Sequence, residues 1–257
     1  MSTLMFIGLF ALLLVIIGLL GFILHKVRRI YYSTFQLRDD TKHARSEAEV
    51  LFSQVQALLA LERRLGLPKA LPPMRGWAGS PDFLLAVAEE ILSHKPFTIL
   101  ECSSGVSTIV VARCLQIIGA GHVYSLEHER DFAIKTSKLL ASYGLSEWAT
   151  VLDAPLVELP DGARWYSQAS IPTELPLAEL LIVDGPPASV GALARYPALP
   201  RLVSRLTPDI TIFVDDADRA DEREMVRQWC REYRGLRETR IDCEKGLAIL
   251  RGEVGAA

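Results

Sequence analysis

The sequence predicts an α/β protein: a doubly wound, mostly parallel sheet with a C-terminal antiparallel hairpin, preceded by one transmembrane helix and a helical stalk. Three observations predict it. From residue 80 onward, short apolar runs alternate with segments of helical periodicity. Two of the runs, 180–183 and 210–214, are apolar throughout but for Thr211, as central parallel strands buried on both faces require. Residues 4–24 contain no polar side chain at all. The boundaries that follow are 1–33 for an anchor, 34–74 for a stalk and linker, and 75–257 for the sheet domain.

The N-terminal run of 21 residues spans roughly 30 Å as a helix, the thickness of a hydrocarbon core. A cleaved signal peptide is the alternative, opposed by the absence of a preceding basic residue, by the run's length and by the lack of a small-x-small site. Lys26, Arg28 and Arg29 follow the run, with Tyr31 and Tyr32 as interfacial anchors. The positive-inside rule then predicts a single-pass protein of the inner (cytoplasmic) membrane with its domain on the cytoplasmic side. Residues 34–66 read as helix, with Leu37, Thr41, Ala44, Ala48, Leu51, Val55 and Leu58 in heptad-like spacing. That pattern suits a homodimer through the stalk or a helix lying on the domain. Leu67-Pro68 and Leu71-Pro72-Pro73 end it.

Ser80-Pro81-Asp82 starts a helix, with Ser80 as the cap. Strands are predicted over 98–101, 122–127, 150–152, 180–183 and 210–214, with helices over 106–118 and from Phe132 to Tyr143 between them. A helix carrying Met225, Val226, Trp229 and Tyr233 follows, then a hairpin over 239–250 around Glu244-Lys245-Gly246. Repeated β-α units imply right-handed crossovers. The segment between Leu156 and Leu175 is expected to line a substrate pocket, with Trp165 and Tyr166 as walls.

The chemistry gathers at strand ends. Glu101, Glu127, Asp184 and the pair Asp215-Asp216 each close a strand, and Asp153 follows the third. In a parallel sheet all lie at the carboxyl edge, where such sheets bind ligands. After Glu101 comes the small-residue turn Cys102-Ser103-Ser104-Gly105 and a helix start at Val106, which suits a nucleotide-like cofactor. Glu127 stands 22 residues past Gly105, where nucleotide-binding sheets hold a ribose diol. It also suits a cap for the next helix. The glycine-rich dehydrogenase fingerprint is absent, which disfavours an NAD-dependent enzyme.

These residues resemble the class I S-adenosylmethionine-dependent methyltransferase family. Glu101-Cys102-Ser103-Ser104-Gly105 is similar to its acidic-x-Gly-x-Gly loop, with Ser103 in place of the first glycine. The closest resemblance is to a bacterial subgroup with a CGSGVST-like loop, a DGPP-like fourth motif (Asp184 to Pro187) and a DD after the fifth strand. It implies a Rossmann-like fold and S-adenosyl-L-methionine as cofactor. It further implies cofactor contacts from Glu101, Ser103, Gly105, Ser107, Glu127, Asp153 and Asp184. Asp184 and Asp215 would be catalytic. Together with Asp216 they also resemble the Mg²⁺ ligands of catechol-type O-methyltransferases, with Asp216 where an amide would be. The same three acids suit turn and helix capping equally well. His94, His122 and His128 are candidate bases, His128 the best placed, and Trp77 is a candidate cover for the site.

The acceptor expected is a small molecule or a membrane-associated one, with O-methylation favoured. A non-catalytic, membrane-tethered scaffold is the competing class, supported by Ser103. A net charge of −3 gives no reason to expect nucleic acid. The four cysteines have no framework spacing and read as reduced thiols in or near the core.

Overall fold

The computed structural model describes residues 3–74 and 78–255, apart from the side chains of residues 3–5, 39, 40, 43 and 46. Trp77 lies outside the described residues. The chain forms two compact units, 1–52 and 53–257. Helix α1 (Thr3–Leu65) accounts for the described part of the first unit. Its segment Phe6–Arg38 is long and apolar enough to cross a membrane by length and composition, and none of its most apolar stretch is buried.

The second unit starts with the last turns of α1. Gln54, Ala57, Leu61 and Leu65 are buried there, one helical stripe at spacings of three and four. It differs from the heptad positions: Leu51 and Val55 are exposed. The interior takes the neighbouring face because Leu61 and Leu65 reach the core beside α2 (Pro81–His94). Arg113 then closes the helix end by donating to the carbonyls of Leu65 and Gly66.

Helix α2 has Pro81 in its first turn as expected, but Ser80 makes no side-chain cap. Asp82 does that work instead, accepting from the backbone N–H of Phe83 at 2.8 Å. It also accepts from Gln54 Nε2 and from the N–H of Glu244, both at 2.7 Å. One carboxylate thus joins α1, α2 and the C-terminal turn. Burial raises its pKa, but these hydrogen bonds outweigh burial and hold it below the ordinary value. Folding therefore gains from this ionised carboxylate above the unfolded pKa of about 3.9, and loses that gain as pH falls through the lowered folded value. Asp82→Asn should cost about 1–2 kcal/mol at pH 7, reduced for partial exposure. The gap to the native protein should close towards pH 2 in chemical denaturation. A gap independent of pH would contradict the ionised role.

The sheet follows the predicted alternation. Its strands are β1 (Thr98–Cys102), β2 (His122–Glu127), β3 (Ala149–Asp153), β6 (Ala178–Val183), β7 (Leu206–Val214), β8 (Arg237–Ile241) and β9 (Leu247–Glu253). A separate small hairpin, β4 (Leu156–Glu158) with β5 (Arg164–Tyr166), lies between β3 and β6. The order is β3-β2-β1-β6-β7-β9-β8, with β1, β2, β3, β6 and β7 parallel and β9 antiparallel to both neighbours. Crossovers run through α3 (Val106–Ile118), α4 (Arg130–Ser142), α5 (Ala198–Leu202) and α6 (Ala220–Glu232).

Pleating splits each central strand between two cores. Ile99, Val123, Leu180, Ile182 and Phe213 face α2 and α3. Leu100, Leu181, Val183, Ile212 and Val214 face α6 and the hairpin residues Trp165 and Tyr166. Each such fully buried side chain contributes roughly 1.5–3 kcal/mol. All four cysteines are free thiols, and burial pushes Cys114 and Cys243 up to about 12, so both stay protonated.

Candidate functional site

The strand order reverses between β1 and β6, which puts a topological switch point at their carboxyl ends. Glu101 and Glu127 lie on one side of it, and Asp184, Asp215 and Asp216 on the other. Asp153 closes β3 farther out, half-exposed, with Arg130 Nε at 3.8 Å. The structure therefore brings the predicted acids to one edge in two groups. His94 and His122 belong to the opposite edge: His94 ends α2 and His122 opens β2, bonded to Thr150 Oγ1. Only His128 is beside the site.

The first group is built by the turn after β1. Glu101 is fully buried, and its Oε2 accepts from Ser125 Oγ and from Thr108 Oγ1 at 2.7 Å. Thr108 Oγ1 in turn accepts from the N–H of Gly105, the cap of α3. The Glu101 carboxyl thus sets the geometry of the loop and the helix start together. Burial raises its pKa, the charge of Glu127 adds to that, and hydroxyls of Ser107, Ser125 and Thr108 oppose it.

Ser103 has φ 112°, in the region that glycine favours. A residue with a side chain is strained at that φ. Ser103→Gly should raise stability by about 1 kcal/mol, read as a higher melting temperature. A lower one would show that the hydroxyl is needed.

Glu127 is buried at the end of β2. Its Oε2 accepts from Ser104 Oγ at 2.7 Å and its Oε1 from the N–H of Glu129 at 3.0 Å. His128 Nδ1 stands 3.1 Å from Oε1, off the line of a hydrogen bond. Burial raises the Glu127 pKa, but the adjacent His128 and the two hydrogen bonds bring it below the ordinary value. Tyr166 comes in from the β4–β5 hairpin, its ring edge-on to His128 with centroids 6.2 Å apart. A Cβ on Gly185 would lie 2.6 Å from the Tyr166 hydroxyl, so glycine is what admits the phenol there. Trp165 and Tyr166 are thus fully buried, packed into the core under the edge.

The second group is an acidic cluster closed by an arginine. One carboxylate oxygen from each of Asp184, Asp215 and Asp216 lies within 4.8 Å of the others. Arg195, itself buried, reaches Asp216 Oδ2 at 2.8 Å and Asp184 Oδ1 at 3.5 Å through Nη2. Its Nη1 donates to the carbonyl of Asp215 at 3.0 Å, and its Nε lies 3.7 Å from Glu222 Oε1. Arg219 adds a second cation at 2.9 Å from Asp216 Oδ2.

One guanidinium does not neutralise four buried carboxyls. Burial first, and then the charge of Asp215, push Asp184 well above the carboxylate range, and Asp215 rises to about 6 through burial and Asp216. Arg195 stays charged because the surrounding acids outweigh its burial. The turn at Lys245-Gly246 closes this side, with the N–H of Ala217 donating to the Gly246 carbonyl. Gly246 has φ 74°, and a Cβ there would fall 2.6 Å from Asp218 Cγ.

Among the described residues, eight buried side-chain polar atoms have no hydrogen-bond partner. Six belong to the carboxyl edge and its hairpin: Glu101 Oε1, His128 Nδ1, Trp165 Nε1, Tyr166 OH, Asp215 Oδ2 and Asp216 Oδ1. Buried polar groups are ordinarily paired, so this concentration singles out the carboxyl edge as the candidate site. Sequence reasoning missed Ser104 and Arg195. Ser104 reads as one more small turn residue, and Arg195 comes from a loop without periodicity.

No family model matches the chain, and no curated protein matches it. Solved structures do. A methyltransferase from Podospora anserina, SAH-bound, is 13% identical with a TM-score of 0.54, over 77% of this chain and 88% of that one. An O-methyltransferase from Bacillus cereus in complex with SAH is 16% identical with a TM-score of 0.51, over 78% and 91%. A methyltransferase from Geobacter sulfurreducens is 14% identical with a TM-score of 0.51, over 78% and 89%. At such identities the likeness concerns the backbone. The chain carries the Rossmann-like fold of class I S-adenosylmethionine-dependent methyltransferases.

Proposed function

We propose that this protein is an S-adenosylmethionine-dependent methyltransferase, anchored through residues 4–24 in the cytoplasmic membrane with its domain on the cytoplasmic side. The observation that carries the reading is the set of unpartnered buried polar atoms at the switch point of this sheet. The cofactor would supply an electrophilic methyl group on a sulfonium, so transfer depends chiefly on alignment.

The residues divide the work by position. Glu127 would accept from both ribose hydroxyls, and its lowered pKa keeps it ionised for that. Glu101 offers its free Oε1 to the methionine ammonium, and the backbone of Ser103 to Gly105 passes alongside. Asp153, half-exposed at the end of β3, suits the adenine end. His128, beside Glu127 at the edge, is the base candidate for a hydroxyl acceptor. A small or membrane-associated acceptor fits this reading, in which Lys26, Arg28 and Arg29 just past the apolar run assign the cytoplasmic side.

Two observations favour a second reading, a membrane-tethered scaffold without activity. Ser103 strains the loop, and Ser104 already occupies an oxygen of Glu127. Calorimetric titration of the full chain in mild detergent separates the two. Saturable heat with S-adenosylmethionine and none with NAD is expected. No heat with either leaves the scaffold.

A further inference from the structure

We propose that Arg195 takes the place of a divalent cation among Asp184, Asp215 and Asp216, so that this site works without a metal. The three carboxylates converge as hard oxygen ligands do, within 4.8 Å of one another. The space they share is served by a protein cation. Arg195 Nη2 is 2.8 Å from Asp216 Oδ2 and 3.5 Å from Asp184 Oδ1, the two oxygens that face it. Its other donors are committed to the carbonyls of Asp215 and Pro186 and face Glu222.

Asp216 Oδ2 is further held by Arg219, and Asp215 Oδ1 by the N–H of Asp216. Two further oxygens, Asp215 Oδ2 and Asp216 Oδ1, are buried with no hydrogen-bond partner. A dication among the three carboxylates would share Asp184 and Asp216 with a buried guanidinium, and like charges repel strongly there for want of solvent. The residues present do not fit Mg²⁺ alongside Arg195. The planar, permanently charged guanidinium supplies the counter-charge instead. This inference concerns the cluster itself, and its test reads metal binding, so it can fail while the methyl-transfer reading stands, and the reverse.

The test is a Mn²⁺ titration of the full chain followed by electron paramagnetic resonance. The native protein should show no saturable binding up to about 1 mM, the weak end of protein sites for hard cations. Its melting temperature should ignore both Mn²⁺ and chelator. Arg195→Gln should bind Mn²⁺ at least ~10-fold more tightly, or fold only when Mn²⁺ is present, as expected of a bare acidic site. Adding Asp184→Asn to it should remove that binding. Arg195→Lys, which keeps the charge, should remain indifferent to Mn²⁺. Micromolar binding by the native protein that Asp184→Asn abolishes would overturn the proposal. So would a folded Arg195→Gln with no gain in affinity.

Discussion

Replacing Arg195 with methionine should cost about 3–5 kcal/mol of stability at pH 7, the range for removing one partner of a buried ion pair. Methionine keeps much of the stem's packing, so the loss reports the charge. Without the guanidinium, Asp184 Oδ1 and Glu222 lose their only nearby cation among the described ion pairs, and Asp216 keeps Arg219 alone. The carbonyls of Asp215 and Pro186 lose a donor as well. Chemical denaturation checks the size. A double substitution with Asp216→Asn should recover part of the loss, because the stranded charge goes with it. By comparison, Arg45→Ala should change stability by less than about 0.5 kcal/mol, since the Arg45–Glu49 pair is exposed on both sides. A loss under about 1 kcal/mol at Arg195 would mean that the cluster relaxes by taking up protons.

Glu127→Ala should weaken S-adenosylmethionine binding by about 1–3 kcal/mol, a loss of roughly 5- to 150-fold, the scale of hydrogen bonds to a charged group. Each oxygen of this carboxylate already has one protein donor, Ser104 or the N–H of Glu129, and each keeps a lone pair for a ribose hydroxyl. The protein donors aim the carboxylate. Glu127→Gln should therefore lose less than alanine, since the amide still accepts on one side. The lowered pKa also sets the pH dependence: binding by the native protein should be flat from pH 8 to about 5 and weaken only below that. Titration calorimetry across that range reads both effects. An affinity untouched by alanine would take Glu127 out of the cofactor site and favour the scaffold reading.

Much of this was legible in the sequence because it is local. The runs at 180–183 and 210–214, apolar but for Thr211, became β6 and the end of β7, buried on both faces except at Thr211. Gly246 became the turn between β8 and β9, where its positive φ and the approach of Asp218 leave no room for a side chain. Small residues between Glu101 and Val106 became the cap of α3. The hairpin β4–β5 was not legible, since its three-residue strands are too short to show a period and its pairing is set by contact. The cap at α2 went to Asp82 instead of Ser80 because Asp82 also meets Gln54 and Glu244, far away in sequence.

The sequence by itself determined the fold class, the long N-terminal helix and the arrival of six acids at one sheet edge. Strand length, apolar period and β-α order are properties of neighbours along the chain, and the carboxyl edge follows from them. Only the tertiary structure decided what each acid faces. Glu101 and Glu127 meet serine and threonine hydroxyls, while the carboxylates of Asp184 and Asp216 meet Arg195, which also takes the backbone carbonyl of Asp215. That difference is electrostatic and depends on distances of 3–4 Å between residues far apart in the chain, which no spacing in the sequence encodes. It makes one half of the edge a candidate ligand site and the other an acidic cluster built around Arg195.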